Sequence, residues 1–315
     1  MTQCLYRTYY NTLYPILFMV AFVILSCGQT SQNESGKLRV VTSIGMLADA
    51  VKVITEDSVE VTGLMGPGVD PHLYKATSGD VSLLDKADLI IYNGLNLEAK
   101  MAVIFKKMSA SKNTLAAAER IDSSLLRFPE YFQGHPDPHV WFDVSKWKTV
   151  VAATGIALME LDSANQKVYQ KNLSGYLHVL DELHKWVKAQ MATIPEDKRV
   201  LVTAHDAFGY FGEAYDIEVR ALQGISTVTE AGLYDVTHMI DMLVEKEIKA
   251  VFVESSVPRK AIEAVVEGCR QRGLDIEIGG ELFSDAMGDE GTPEGTYIGM
   301  VRHNVNTIVK ALSEK

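Results

Sequence analysis

Residues 164–193 read ANQKVYQKNLSGYLHVLDELHKWVKAQMAT, and this stretch decides how the rest of the chain is arranged. Leu173, Leu177, Leu180, Leu183, Val187 and Met191 recur at spacings of three and four, which is one face of an α-helix. The stretch has no proline, Gly175 is its only glycine, and Pro195 ends it. Thirty helical residues would reach about 45 Å, more than the width of a small domain. The spacing therefore predicts a helix long enough to join two lobes.

On both sides of it, strands and helices alternate. Before it, KLRVVTSI (37–44), VEVTGLM (59–65) and LIIYNG (89–94) read as strands. MLADAVKVIT (46–55) and SGDVSLLDKAD (78–88) read as helices, the second capped by Ser78 or Asp80. A helix is also expected from Ser145 to about Leu161. After it, RVLVTAH, IEVRALQGI, KAVFVESS and LDIEIGGELF read as strands and alternate with four helical stretches. Such alternation implies βαβ units and mostly parallel sheets. The expected fold is α/β, with two lobes, each a mostly parallel sheet flanked by helices, joined by one long linker helix. The lobes are expected at 38–163 and 195–315, with the linker at 164–194.

The N-terminus is set apart. Arg7 is the only charge among the first 33 residues, and residues 13–25 form the apolar run LYPILFMVAFVIL. That run is short for a membrane span and suits the core of a signal peptide. ILSC, ending at Cys27, resembles a bacterial lipobox, so residues 1–26 are expected as a signal peptide and Cys27 as the lipidated first mature residue. GQTSQNESGK (28–37) is polar and completes a flexible tether over 27–37. The expected product is exported and held on the membrane by lipid, facing the periplasm or the cell exterior. With Cys4 removed and Cys27 blocked, only Cys269 remains, so no disulfide framework is expected. Cys269 falls on the apolar side of a helix and reads as core. The formal net charge of −11 argues against a nucleic-acid partner.

Eight histidines are present, and three stand next to strand ends: His72 in GVDPHLY, His139 in PDPHVWFD and His205 in LVTAHDAF. In open α/β sheets, ligands gather beyond the carboxyl ends of strands. Two facing lobes would bring these three together. Several neutral imidazoles in a cleft suit a divalent transition metal. GGELFSDAMG offers Glu281 or Asp285 as a carboxylate ligand. Around His139, prolines stiffen the chain and Val140-Trp141-Phe142 demand burial, an arrangement that would hold an imidazole rigidly.

GVDPHLYKATSGD, LIIYNGLNLE, DPHVWFDV, TAHDAFGYF, LQGISTVTEAG, VFVESSV and GGELFSDAMG follow one another in this order over Leu38 to Leu312. In these pieces the chain resembles the substrate-binding lipoproteins of bacterial zinc and manganese ABC importers, the TroA-like cluster A-I. The resemblance implies four metal ligands, His72, His139, His205 and Asp285, with His135 left to a loop. It implies Zn²⁺ or Mn²⁺ as the transported ligand, an ABC permease and its ATPase as partners, a monomer and no catalytic activity. It also implies that the long helix limits closure and that release needs only small shifts, with a ligand such as Asp285 moving away. Members favouring manganese often carry glutamate at the third position, where this chain has His205. Members specialised for zinc often carry a His-rich loop, which this chain lacks. Zinc is favoured because three imidazoles and one carboxylate suit a tetrahedral site. Asp206, Asp143 and Glu230 are candidates to orient the imidazoles. Two other readings compete, a surface adhesin-like lipoprotein and a zinc-dependent hydrolase. The second is disfavoured because there is no H-E-x-x-H and a fourth ligand would fill the place of a reactive water.

Overall fold

In the computed structural model, residues 36–132 and 134–313 are described, and those from Leu38 onward belong to one compact unit. The expected signal segment, Cys27 and most of the tether lie outside the described residues. Among the described residues no helix is long and apolar enough to cross a membrane.

β-Branched and apolar residues make β1 (Leu38–Ile44), β2 (Val59–Met65) and β3 (Leu89–Tyr92). A short edge strand, β4 (Asn113–Ala116), completes a parallel sheet of order β2-β1-β3-β4. α1 (Gly45–Thr55), α2 (Ser78–Lys86), α3 (Ala102–Met108) and α4 (Val144–Leu161) accompany this sheet. The cap of α2 is Thr77, not Ser78. Its side chain accepts from the Asp80 backbone N–H, and Asp80 Oδ2 in turn accepts from the Thr77 backbone N–H, which closes a capping box. β4 and α3 are the two elements that periodicity did not suggest. Four and seven residues are too few to show a period.

The linker helix α5 (Gln166–Met191) has 26 residues. Its buried face is Tyr169, Leu173, Tyr176, Leu180, Leu183, Val187 and Met191. Two tyrosines thus extend the leucine stripe, and Leu177 lies at its edge, half-buried. The second lobe carries two parallel pairs, β5 (Val200–His205) with β6 (Glu218–Gln223) and β7 (Ala250–Glu254) with β8 (Glu277–Leu282). β5 runs beside β7. α6 (Gly209–Tyr215), α7 (Leu233–Glu245), α8 (Lys260–Gln271) and α9 (Tyr297–Ser313) flank these strands.

Packing shows why the lobes are held firmly. α5 lies against α1 and α4 on one side and α6 and α9 on the other. One apolar cluster runs from Val40 and Ile90 through Leu180 to Phe208, Phe252, Tyr297 and Ile308. Only the face of the second lobe under α7 and α8 has a separate core, which includes Cys269 as expected. A shared core resists shear far more than a strand hinge does, because close-packed interiors tolerate little displacement.

The α4–α5 contact depends on Gly155. A Cβ there would lie 2.7 Å from Leu173 Cδ2. Gly155→Val should force the two helices apart and cost about 1–3 kcal/mol. A thermal melt should show this as a fall of roughly 2–4 °C per kcal/mol.

Candidate metal centre

Three of the four candidate ligands lie at or just beyond a strand end, but His139, expected there too, lies far past the edge strand Asn113–Ala116 and just before a helical turn. His72 lies in the turn after β2. His205 is the last residue of β5, and Asp285 lies three residues past the end of β8. His139 stands before the short turn Val140–Phe142 that leads into α4. All four are buried, at 2%, 0%, 0% and 1% exposure for His72, His139, His205 and Asp285. Four polar side chains so buried demand partners.

Their inward atoms all lie within 4.8 Å of one another. His72 Nε2 is 3.2 Å from His139 Nε2. Asp285 Oδ1 is 3.4 Å from His139 Nε2, and Oδ2 is 3.3 Å from His205 Nε2 and 4.0 Å from His72 Nε2. Neither Asp285 oxygen, nor His205 Nε2, has a hydrogen-bond partner. Unpartnered buried polar atoms aimed at one point fit a cation among them.

The outer ring atoms fix which nitrogen faces inward. His139 Nδ1–H donates to Asp137 Oδ1 (2.8 Å), and His205 Nδ1–H donates to Glu254 Oε2 (2.5 Å). A carboxylate only accepts, so Nδ1 carries the hydrogen and Nε2 turns inward, as in carboxylate–histidine–metal arrangements. Glu254 Oε1 also accepts from the His205 backbone N–H (2.9 Å).

Asp137 and Glu254 were not anticipated. Asp143, Asp206 and Glu230, the expected orienting residues, do other things. Asp143 caps α4 and pairs with Lys146. Asp206 accepts from the Tyr131 hydroxyl, and Glu230 is exposed. Asp137 was legible in principle as the residue two before His139, where an Asx turn folds back. Glu254 required the knowledge that β7 lies beside β5.

Glu281, the alternative to Asp285, is exposed, and His303 Nε2–H donates to its backbone carbonyl. His135 is exposed too, its ring edge-on to Phe132. The apolar triplet behaves as its composition demands. Val140, Trp141 and Phe142 are buried, and Trp141 Nε1–H donates to Ser284 O (3.0 Å), next to Asp285. Trp141 also stands edge-on to His139 at 5.2 Å. One indole thus braces two of the four residues.

The charges are strongly coupled. Burial pushes His72 down to about 3, so it is neutral at ordinary pH. Burial also works against charge on His139, but Asp137 and Asp285 outweigh it and lift it to about 9. His205 is held well above the ordinary imidazole value, as Glu254 and Asp285 overcome its burial. Burial would raise Asp285, but His205 and His139 hold it well below the carboxylate range. Protonation of His139 and His205 thus offsets the charge of Asp285, so a cation taken up here would compete with protons.

The family described as "ZnuA: Zinc-uptake complex component A periplasmic" matches residues 40–311. The chain is 48% identical over 286 residues to the zinc-binding protein TroA of Treponema pallidum (strain Nichols), covering 91% of this chain and 92% of TroA. It is 47% identical over 299 residues to the manganese-binding lipoprotein MntA of Bacillus subtilis (strain 168), covering 94% and 97%. The solved structure of the periplasmic zinc-binding protein TroA from Treponema pallidum superposes with a TM-score of 0.87 at 49% identity, over 88% of this chain and all of that one. By fold, by sequence along nearly its whole described length and by a buried site of three histidines and one aspartate, the chain belongs to the ZnuA family of substrate-binding components of metal ABC transporters, which bind and are not enzymes.

Proposed function

We propose that His72, His139, His205 and Asp285 together hold one divalent transition-metal ion, Zn²⁺ in preference to Mn²⁺, and that the protein captures this ion between its lobes and delivers it to an ABC permease driven by an ATPase. The observation that carries this is the convergence of four buried ligand atoms, one per residue, within 4.8 Å, with His205 Nε2 and both Asp285 oxygens unpartnered. Three imidazoles and one carboxylate suit tetrahedral zinc at about 2.0–2.2 Å per bond. Zinc also outranks manganese in intrinsic affinity at such donors. The relatives named for zinc and for manganese stand at nearly equal identity, so the donor set decides this reading.

The protein works outside the cytoplasm as a monomer. Cys27 carries a lipid, and the tether keeps the lobes near the permease. The lipoprotein named among the relatives supports this. The lobes run over 38–163 and 195–315, with 164–194 between them. Nothing in the site favours the adhesin reading, which needs a second binding surface.

Competitive titration of Zn²⁺ and Mn²⁺ into metal-stripped protein tests the metal. Zinc should win by a wide margin, and His205→Glu should narrow that margin by exchanging an imidazole for a hard oxygen donor. Equal binding of the two metals by the wild-type protein would refute the preference. Proton release gives an independent check. His139 and His205 are both protonated at pH 7 without metal and must lose their Nε2 protons to bind it. Calorimetry in buffers of different ionisation enthalpy should show about two protons released per zinc. Affinity should fall about tenfold per displaced proton for each pH unit of acidification.

A further inference from the structure

Two of the three histidines sit in the same tripeptide, Asp70-Pro71-His72 and Asp137-Pro138-His139. The two turns share a geometry. Asp70 Oδ1 accepts from the His72 backbone N–H (2.8 Å), and Asp137 Oδ1 accepts from the His139 backbone N–H (3.0 Å). In each turn one carboxylate oxygen therefore folds back onto its own histidine, while the other oxygen is engaged by a residue outside the turn.

Asp70 Oδ2 accepts from Thr227 Oγ1 (2.5 Å), in the loop after β6, which belongs to the second lobe. Asp137 Oδ2 accepts from Arg127 Nη1 (2.6 Å), and Arg127 Nε donates to Glu213 Oε1 (2.7 Å) on α6, again in the second lobe. The Arg127 backbone N–H also donates to the Tyr210 hydroxyl on α6 (3.0 Å). Gly209 clears the path of the guanidinium, since a Cβ there would stand 1.4 Å from Arg127 Nη1. The Arg127–Glu213 pair is too exposed to contribute much stability, as Glu213 is 60% exposed. Its position behind a ligand calls for another role.

We propose that Thr227 and Arg127 are positioning residues that couple lobe closure to the orientation of His72 and His139, so that metal stays bound only while the second lobe holds Asp70 directly through Thr227 and Asp137 indirectly through Arg127. Hydrogen bonds fail within a few tenths of an ångström beyond their normal length. A small parting of the lobes would therefore free Asp70 from Thr227, and would free Arg127 from Glu213 and Tyr210, which loosens the guanidinium that holds Asp137. The histidines would then lose their aim, and the ion would leave through ligand disorder rather than through a wide opening. This suits a molecule whose lobes share one core. The inference rests on the metal reading above.

The test is the rate at which the zinc-loaded protein loses zinc to an excess of chelator. Thr227→Val removes one hydroxyl at constant shape, and Arg127→Met removes the guanidinium. Gly209→Ala displaces the guanidinium while leaving Arg127 in place. Each should speed zinc loss by about 10–100-fold, the range for residues behind metal ligands. Thr227→Ser, which keeps the hydroxyl, should restore the slow rate. Lys52→Met is the control. It removes a different exposed contact, Lys52 Nζ to Glu290 Oε1 at 2.6 Å, which reaches the loop after Asp285 but neither Asp-Pro-His turn. Its rate should stay within about twofold of wild type. Wild-type rates in both Thr227→Val and Arg127→Met would overturn the proposal, as would equal acceleration by Lys52→Met. If the wild-type protein took up no zinc at all, the metal reading would fall and the proposal with it.

Discussion

Asp285→Ala should remove tight zinc binding. Competition against a chromophoric chelator should show a loss of at least about a hundredfold. Structural zinc sites bind with roughly 10–16 kcal/mol shared over four ligands, so one ligand accounts for about 3 kcal/mol or more. The loss should be larger here than at an exposed site. Asp285 supplies the one negative charge among the four proposed ligands, and both of its oxygens lie near the histidine Nε2 atoms with no other partner. Its removal also leaves two buried imidazoles whose protonated forms it had stabilised. Melting temperature should then cease to respond to added zinc. In the wild-type protein a thousandfold excess over Kd should add about 4 kcal/mol. An Asp285→Ala protein that still binds zinc as tightly as wild type would rule this residue out as a ligand.

Glu254→Gln should lower zinc affinity by about 10–100-fold although residue 254 touches no metal. Glu254 holds both the backbone N–H and the Nδ1–H of His205 with its two oxygens. A glutamine offers one acceptor in their place and turns its amide N–H₂ toward a donor. His205 would lose both its fixed orientation and the charge that makes it a strong donor. The sign of the pH effect follows from the same contact. Glu254 raises the pKa of His205, so its loss should bring that pKa down and reduce proton release on zinc binding. Calorimetry would thus separate this change from a simple fold defect, which would leave the proton count unaltered.

What was legible in the sequence, and what was not, follows from the range of the forces involved. The long helix declared itself because its stripe repeats from Leu173 to Met191, over about five turns. The buried strands declared themselves because Val, Ile and Leu crowd into runs such as Val40–Val41 and Ile90–Ile91. The edge strand Asn113–Ala116 did not, because an edge needs few apolar residues and four positions carry no period. At the candidate metal centre, His72, His139 and His205 and a carboxylate after the last strand stood out as a set, although His139 proved to precede a helical turn and not to end a strand, and choosing Asp285 over Glu281 needed either the family resemblance or the fold. The orienting residues were hidden for a different reason. Glu254 is 49 positions from His205, and only the placing of β5 beside β7 brings them together. Thr227 and Asp70 are 157 positions apart. Contacts between residues distant in sequence leave no local pattern, so neighbouring acids such as Asp206 draw attention that belongs to distant ones.

Anomalous diffraction at the zinc edge from crystals of the zinc-loaded protein would test the central claim most directly. The account predicts one strong peak, about 2.0–2.2 Å from the Nε2 atoms of His72, His139 and His205 and from a carboxylate oxygen of Asp285. A peak held by other residues, or a protein saturated with zinc that shows no peak between these four, would contradict it.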